Sequence, residues 1–145
     1  MAMSEKKAIG RRSDYHYFTA ISTRWSDNDI YGHVNNVIYY SYFDSVANHF
    51  LIHRGGLDIH HGNMIGLVVN SSCQYHKPLA YPDKLAGGLR VNRLGNSSVE
   101  YGLAIFRDSD EEAAAEGYFI HVFVDRHSRK PTPIPDALRN ALQEI

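Results

Sequence analysis

The spacing of apolar side chains predicts one long buried helix in the first half of the chain. From Asn36 to about His53 there is no Pro or Gly, and apolar side chains occupy nearly every face of a helix drawn through this stretch. A helix that is apolar almost all round has to be covered by other elements. The pair Gly55-Gly56 is predicted to end it.

The stretches on either side of this helix have the composition and period of strands. A first strand is predicted over Tyr15 to Thr23, where aromatic and β-branched residues concentrate. After the helix, apolar and polar positions alternate, which is typical of strands. A short terminal helix is predicted over Asp136 to about Gln143. The four later strands are predicted at about Leu67 to His76, Leu85 to Arg93, Ser98 to Arg107 and Ala113 to Asp125.

This order of elements predicts an α+β fold, in which an antiparallel sheet of about five strands wraps around one buried central helix at about residues 36–53. Part of the rim of such a sheet stays uncovered, so a partner subunit is expected. A chain of 145 residues has room for one core and hardly for two. We therefore predict a flexible polar tail over residues 1–14 and a single domain over residues 15–145.

Composition argues against some classes of function but does not identify one. The formal net charge is −1 and the basic residues are scattered, so no nucleic-acid partner is expected. The polar N-terminus predicts neither a signal peptide nor a membrane span. Cys73 is the only cysteine, and a chain that folds without a disulfide fits a reducing cytoplasm.

The residues that could carry chemistry are concentrated between Arg24 and Asn36, just before the buried helix. The first backbone N–H groups of a helix have no partner inside it, and with the helix dipole they can polarise a thioester carbonyl. A carboxylate a few residues earlier, Asp29, could attack that carbonyl or deprotonate a water that does so. Asp27 is predicted to be structural and to pair with Arg24.

The motif Asp29-x-x-Gly32-His33-Val34-Asn35-Asn36-x-x-Tyr39, ahead of a helix and a long antiparallel set, resembles the 4-hydroxybenzoyl-CoA thioesterase group of the hotdog superfamily. The resemblance implies a hotdog fold and hydrolysis of an acyl-CoA to free acid and CoA, without a cofactor. It assigns Asp29 as nucleophile or general base and the amide of Asn36 as the group that polarises the carbonyl. It also implies a homodimer or homotetramer with the active site at the subunit interface.

The same stretch resembles plant acyl-ACP thioesterases, in which the His at position 33 has a catalytic part alongside an Asn at position 31. Here position 31 is Tyr, which removes one member of that constellation. Two alternatives therefore stay open for His33, a direct catalytic role and a structural role in ordering the loop or lining the pocket.

Substrate binding is predicted from two further sets of residues. Tyr39 is expected to line the acyl pocket. In the resembled family a hairpin turn and the end of the last strand lie near the nucleotide, often across the subunit boundary, so cations and hydroxyls there are candidate ligands for the CoA phosphates. These candidates are Arg93, Ser97, Ser98, Arg126 and Arg129. The alternative for each is a solvated side chain at a strand end.

Each catalytic assignment also has a structural alternative. Asp29 could order the loop, and Asn35 or Asn36 could cap the helix. Two other functions stay open: a non-hydrolytic acyl-CoA or acyl-carrier binding module, and a hotdog dehydratase, in which His33 would matter more than Asp29.

A metal site is not expected from the nine histidines of the chain. His60 and His61 are adjacent, and no His or Cys pair is recognised at the local spacing of a zinc site. Cys73, inside an alternating stretch, is predicted to be a small core residue.

Overall fold

A computed structural model describes residues 8–145 and contains a five-stranded sheet with two α-helices. In chain order the elements are β1 (Tyr17–Ser22), α1 (Ile38–His53), β2 (Met64–Tyr75), β3 (Lys84–Leu94), β4 (Ser98–Arg107), β5 (Ala115–Asp125) and α2 (Asp136–Gln143). The predicted α+β class, the five strands and the central helix are confirmed. Neither helix of the described part is long and apolar enough to cross a membrane.

The sheet is antiparallel throughout, in the order β1-β3-β4-β5-β2. Strands β3, β4 and β5 are neighbours in sequence and in space, whereas β2 crosses over to pair with β5. Strands β1 and β2 are therefore the two edges. The register between β2 and β5 shifts between Val68 and Asn70, a bulge that leaves Val69 outside the ladder.

Helix α1 begins at Ile38, two residues later than predicted. The side chain of Asn35 accepts the Val37 N–H at 3.2 Å, and the backbone carbonyl of Asn35 accepts the Ile38 N–H at 2.9 Å. These bonds close a turn over Asn36 instead of extending the helix. The other end of α1 lies at His53, as predicted.

One side of α1 packs against the sheet, mainly across β1, β3 and β4. Burial of each large apolar side chain contributes about 1.5–3 kcal/mol. The opposite side, which includes Asp44 and Ser45, is exposed, because the sheet curls around the helix from one side only. The buried helix residues are Tyr39, Tyr42, Phe43, Val46, Ala47, Phe50 and Leu51.

The closest approach of helix and sheet is at Gly87 in β3. A Cβ atom at this position would overlap the side chain of Val46 and would lie 3.0 Å from Ile21. A residue without a side chain is therefore needed for α1 to rest on β3. This contact sets the height of the helix above the sheet.

The chain before β1 packs on the outer face of the sheet, opposite to α1. The guanidinium of Arg12 stacks on the ring of Phe106 at 5.0 Å, and the Gly10 N–H donates to the Glu116 carboxylate at 2.8 Å. Defined structure thus begins before residue 15, earlier than the predicted flexible tail over residues 1–14 allows. Residues 1–7 of that tail lie outside the described residues.

A His–Tyr pair lies in the core between the sheet and α1. His121 on β5 is 2% exposed, and its Nδ1 is 3.2 Å from the hydroxyl of Tyr101 on β4. Because burial disfavours the imidazolium, the pKa of His121 falls from 6.5 to about 4. The folded chain thus keeps this ring neutral at pH values where the unfolded chain protonates it.

This burial predicts a pH dependence of stability. Between pH 6.5 and about 4 the unfolded chain binds a proton that the folded chain does not, so the free energy of unfolding falls as the pH falls, by up to about 3 kcal/mol. In a His121→Gln variant this part of the decrease should be absent. Urea denaturation at pH 7 and pH 4.5 measures it, with His60→Gln, an exposed histidine, as the control. If the free energy of unfolding fell equally between pH 7 and pH 4.5 in the wild type and in His121→Gln, the prediction would be contradicted.

Candidate active site

The loop between β1 and α1 folds into a short hairpin that presents Asp29. Asn28 and Val34 pair as an isolated bridge, and the Asp29 N–H donates to the His33 carbonyl at 2.8 Å. The Gly32 N–H donates to the Asp29 carbonyl at 3.1 Å, and Gly32 has a φ of 81°, a backbone conformation that favours glycine. The glycine of the motif therefore shapes the turn.

The buried side chain of Asp27 holds this hairpin in place. Its carboxylate is completely buried and accepts hydrogen bonds from the Tyr42 hydroxyl at 2.7 Å and from the backbone and side chain of Arg24. Burial alone would raise the pKa of Asp27, but the bonds from Tyr42 and Arg24 outweigh it and hold the pKa below the usual 3.8. The pairing of Asp27 with Arg24 agrees with the sequence prediction.

The Asp29 side chain is half-buried, and one of its oxygens accepts the Tyr31 N–H at 2.8 Å. It therefore orders its own turn, the structural alternative considered above, while it still borders solvent. It lines an open depression of about 490 Å³ with Trp25, Ser26, Asn28, Ile30 and Gly32. The apolar members of this rim are unusually exposed, Trp25 at 76% and Ile30 at 92%.

The start of α1 leaves backbone donors available, and Asn36 supplies one of them. Asn35 takes the capping role, whereas the N–H of Asn36 donates to no other residue between positions 8 and 145. The Asn36 carbonyl is held at 3.0 Å by the hydroxyl of Tyr75 at the end of β2. This bond fixes the peptide between Asn36 and Val37, on the side of α1 where β2 ends. The peptide that carries the Asn36 N–H is held through its own carbonyl, that of Asn35, which accepts the Ile38 N–H at 2.9 Å.

Three of the predicted residues line one cavity of about 320 Å³ at this point: His33, Asn36 and Tyr39. Tyr39 is buried and meets Tyr75 edge to face, with ring centroids 5.0 Å apart. Asp29 does not line this cavity; it faces the depression on the other side of the turn. Within one chain, the structure thus places the candidate carboxylate and the candidate oxyanion donor in neighbouring depressions.

The remaining wall of this cavity was missed by the sequence interpretation. It is formed by Val34, Tyr75, His76, Lys77 and Pro78. The sequence analysis proposed no role for the segment after β2, although His76 and Lys77 place two nitrogen bases at the end of the strand. His76 pairs with Glu116 at 2.9 Å, and Glu116 is the residue that also holds Gly10.

The residues predicted to bind the CoA phosphates lie at the opposite end of the sheet. Ser97 and Ser98 stand at the β3–β4 turn, and Arg126 and Arg129 follow β5. Strand β4 separates the two ends, and its ten residues span roughly 30 Å. The structure therefore does not bring these residues to the Asp29 loop of the same chain.

The cations at that end differ in availability. Arg93 and Arg129 are exposed. Arg126 instead donates to the carbonyls of Gly62 and Ile59 at 2.6 and 2.7 Å, which ties down the loop before β2. Its guanidinium is already hydrogen-bonded to these carbonyls. Arg93 and Arg129 are therefore the better candidates for binding the CoA phosphates.

The described residues offer no obvious metal or thiol chemistry near Asp29. Between residues 8 and 145 there is no cluster of three or more His, Cys, Asp or Glu that could hold a metal ion. Burial raises the pKa of Cys73 to about 11, so the side chain stays a thiol and packs against the core. The candidate groups at this end are the Asp29 carboxylate, the Asn36 N–H and the rings of His33 and His76.

Comparison with known proteins places this arrangement in a family. A sequence profile of the thioesterase-like superfamily matches residues 23–142. The solved PA5185 protein of Pseudomonas aeruginosa is 57% identical, with a TM-score of 0.92, over 94% of this chain and 95% of that one. The PA2801 protein of the same organism, a putative thioesterase, is 30% identical, with a TM-score of 0.81, over 86% and 96%.

A third structure, a thioesterase of Thermus thermophilus solved in complex with coenzyme A and zinc, is 25% identical, with a TM-score of 0.73, over 87% of this chain and 90% of that one. The profile covers most of the chain, including the Asp29 hairpin, α1 and all of β2 to β5. The chain therefore belongs to the thioesterase-like superfamily and is a thioester hydrolase with the hotdog fold.

Proposed function

We propose that the chain hydrolyses an acyl-CoA to free acid and CoA, with Asp29 as nucleophile or general base. The observation that carries the proposal is a solvent-bordering carboxylate on the hairpin, Asp29, with an unused backbone N–H, that of Asn36, in the neighbouring depression at the start of α1. An N–H held in place before the substrate arrives can stabilise an oxyanion without reorganisation. The coenzyme A bound to the Thermus thermophilus relative supports CoA as the thiol half of the substrate.

Both versions of the reaction use water as the only co-reactant. As a general base, Asp29 takes a proton from water, whose oxygen attacks the thioester carbonyl. As a nucleophile, its oxygen attacks first, and water then hydrolyses the acyl anhydride. In both, the C–S bond breaks and CoA leaves as a thiol. After a single turnover in ¹⁸O-labelled water, solvent oxygen in the Asp29 carboxylate identifies the nucleophilic route, because only an anhydride that water opens at the aspartyl carbonyl places it there.

The proposal includes a second copy of the chain across the open edge of β2. Within residues 8–145, strand β2 pairs only with β5. Its middle carries Leu67, Val68 and Val69, all exposed and Val69 at 60%. An apolar open edge of this length needs a partner strand. A homodimer is the smallest assembly that covers it, and a homotetramer would contain the same pair.

Antiparallel pairing of two β2 edges would also complete the site. The partner's β2 would run in the opposite direction, so the start of its β2 would lie beside Tyr75 of this chain. The start of β2 pairs with Asp125, just before Arg126 and Arg129. The exposed cation that follows the partner's β5 would then lie near this chain's Asp29 hairpin, which one chain alone cannot achieve.

Replacement of Asp29 tests the chemical step. Asp29→Asn removes the base or nucleophile and should lower kcat at least 100-fold. Thiol release from aromatic, short-chain and long-chain acyl-CoAs measures it, with Asp44→Asn as the matched control because Asp44 lies on the exposed side of α1. Full activity of Asp29→Asn would refute the mechanism. Loss in His33→Ala alone would favour dehydratase-like chemistry, and tight binding without thiol release by the wild type would favour a binding module.

Disruption of the β2 edge tests the assembly. Val69→Asp places a charge where the partner strand would lie, so the mass in solution should halve and thiol release should fall with it. Sedimentation equilibrium and the thiol assay measure the two effects. Ile59→Asp is the control, since Ile59 is also exposed but precedes β2. A wild-type monomer with full activity would contradict the proposed dimer.

Removal of the distant cations tests where the CoA phosphates bind. Arg93→Ala and Arg129→Ala should each raise KM for an acyl-CoA several-fold, because a charged contact to phosphate is lost. For the matching acyl-pantetheine, which has no nucleotide, KM should not change. The measurement is KM for each of the two substrates, in the wild type and in both variants. An equal rise for both would show that these residues act on folding or on the acyl end instead.

A further inference from the structure

Two histidines lie one helical turn apart on the exposed side of α1. His49 and His53 are spaced i,i+4, which places both side chains on the same face. Their ring centroids are 4.3 Å apart and the ring planes are inclined by 40°. The sequence interpretation considered the adjacent pair His60-His61 and overlooked this one, because neighbours on a helix surface are separated by three residues in sequence.

The ring of His49 is held by a second residue from another element. Its Nδ1 is hydrogen-bonded to the hydroxyl of Tyr17 on β1. The bond holds the ring in one orientation. When Nδ1 carries the proton and donates it to the Tyr17 oxygen, Nε2 has a lone pair for a metal, the arrangement that metal-binding histidines almost always have. Nε2 of His49 is then the ligand atom, on a ring that is already oriented.

We propose that His49 and His53 bind one zinc ion on the exposed side of α1. Zn²⁺ prefers neutral imidazole at about 2.0–2.1 Å, and two imidazoles on one tetrahedral ion have their centroids about 5 Å apart. The ring centroids of His49 and His53, 4.3 Å apart, are short of that separation by less than about 1 Å. Among the described residues there is no third protein ligand, so water completes the coordination.

The electrostatic surroundings permit a cation at this place. The nearest fixed positive charge is Arg54, whose guanidinium lies over the Tyr17 ring at 6.0 Å, and it is paired with Glu144 at 3.4 Å. Neither histidine of the pair takes part in an ion pair with any described carboxylate. Cys73, the strongest competing zinc ligand by type, is half-buried and stays a thiol.

The site is independent of the proposed catalysis. It joins the last turns of α1 to β1, the edge of the sheet opposite to β2, and it shares no residue with the Asp29 hairpin or with the cavity of Asn36. Zinc bound there would favour the folded chain, since the unfolded chain does not hold the two rings and Tyr17 together. Its effect is therefore on stability, and failure of the zinc test would leave the thioesterase proposal untouched.

The test is titration of the tag-free full-length chain with Zn²⁺, followed by calorimetry and by competition with a chelating indicator. One ion should bind per chain. His49→Ala and His53→Ala should each weaken binding at least tenfold, and Tyr17→Phe, which removes only the bond that orients His49, by about tenfold. Zinc should also raise the Tm of the wild type but not that of His53→Ala.

The double variant His60→Ala, His61→Ala is the matched control, since it removes two exposed histidines from a loop and leaves α1 intact. It should bind zinc as the wild type does. The proposal is overturned if no saturable site is found, if both single helix variants bind like the wild type, or if affinity is lost in the loop variant instead. If one helix variant does not fold, the other decides, because each supplies one of the two ligands.

Discussion

The buried carboxylate of Asp27 is the interaction on which the candidate site depends. It joins the end of β1, through Arg24, to the middle of α1, through Tyr42. Its own backbone carbonyl accepts the Asn35 N–H at 2.9 Å. Removing one partner of such a buried charge typically costs about 3–5 kcal/mol. Asp27 thus fixes both the entry to the hairpin and its exit, and the position of Asp29 follows from it.

Much of the fold could be predicted because the relevant signals are local. The apolar run of α1 and the alternation in β2 to β5 identify the elements, and the Asp29-Gly32 motif identifies the turn that needs a positive φ. The order of the strands is not a local property. The place of β2 beside β5, and therefore the open edge, depends on packing across the whole sheet.

The site could be predicted only in part for the same reason. The Arg24–Asp27 pair is a contact over three residues, and sequence spacing is enough to indicate it. The cavity wall of Tyr75 and His76 comes from a segment about 40 residues after Asn36, and no spacing rule connects the two. The separation of Asp29 from Asn36 into neighbouring depressions depends on which way one short turn faces, which composition does not specify.

The Glu116 carboxylate is hydrogen-bonded to groups on both faces of the sheet. One carboxylate on β5 holds the Gly10 N–H on the outer face and the ring of His76, which borders the cavity beside α1. The N-terminal segment therefore supports the cavity wall indirectly, through Glu116. Shortening the chain past Gly10, or fusing another protein close to it, would remove a group that holds the Glu116 carboxylate in place beside the His76 ring. The position at which an expressed protein begins therefore affects the geometry of the cavity.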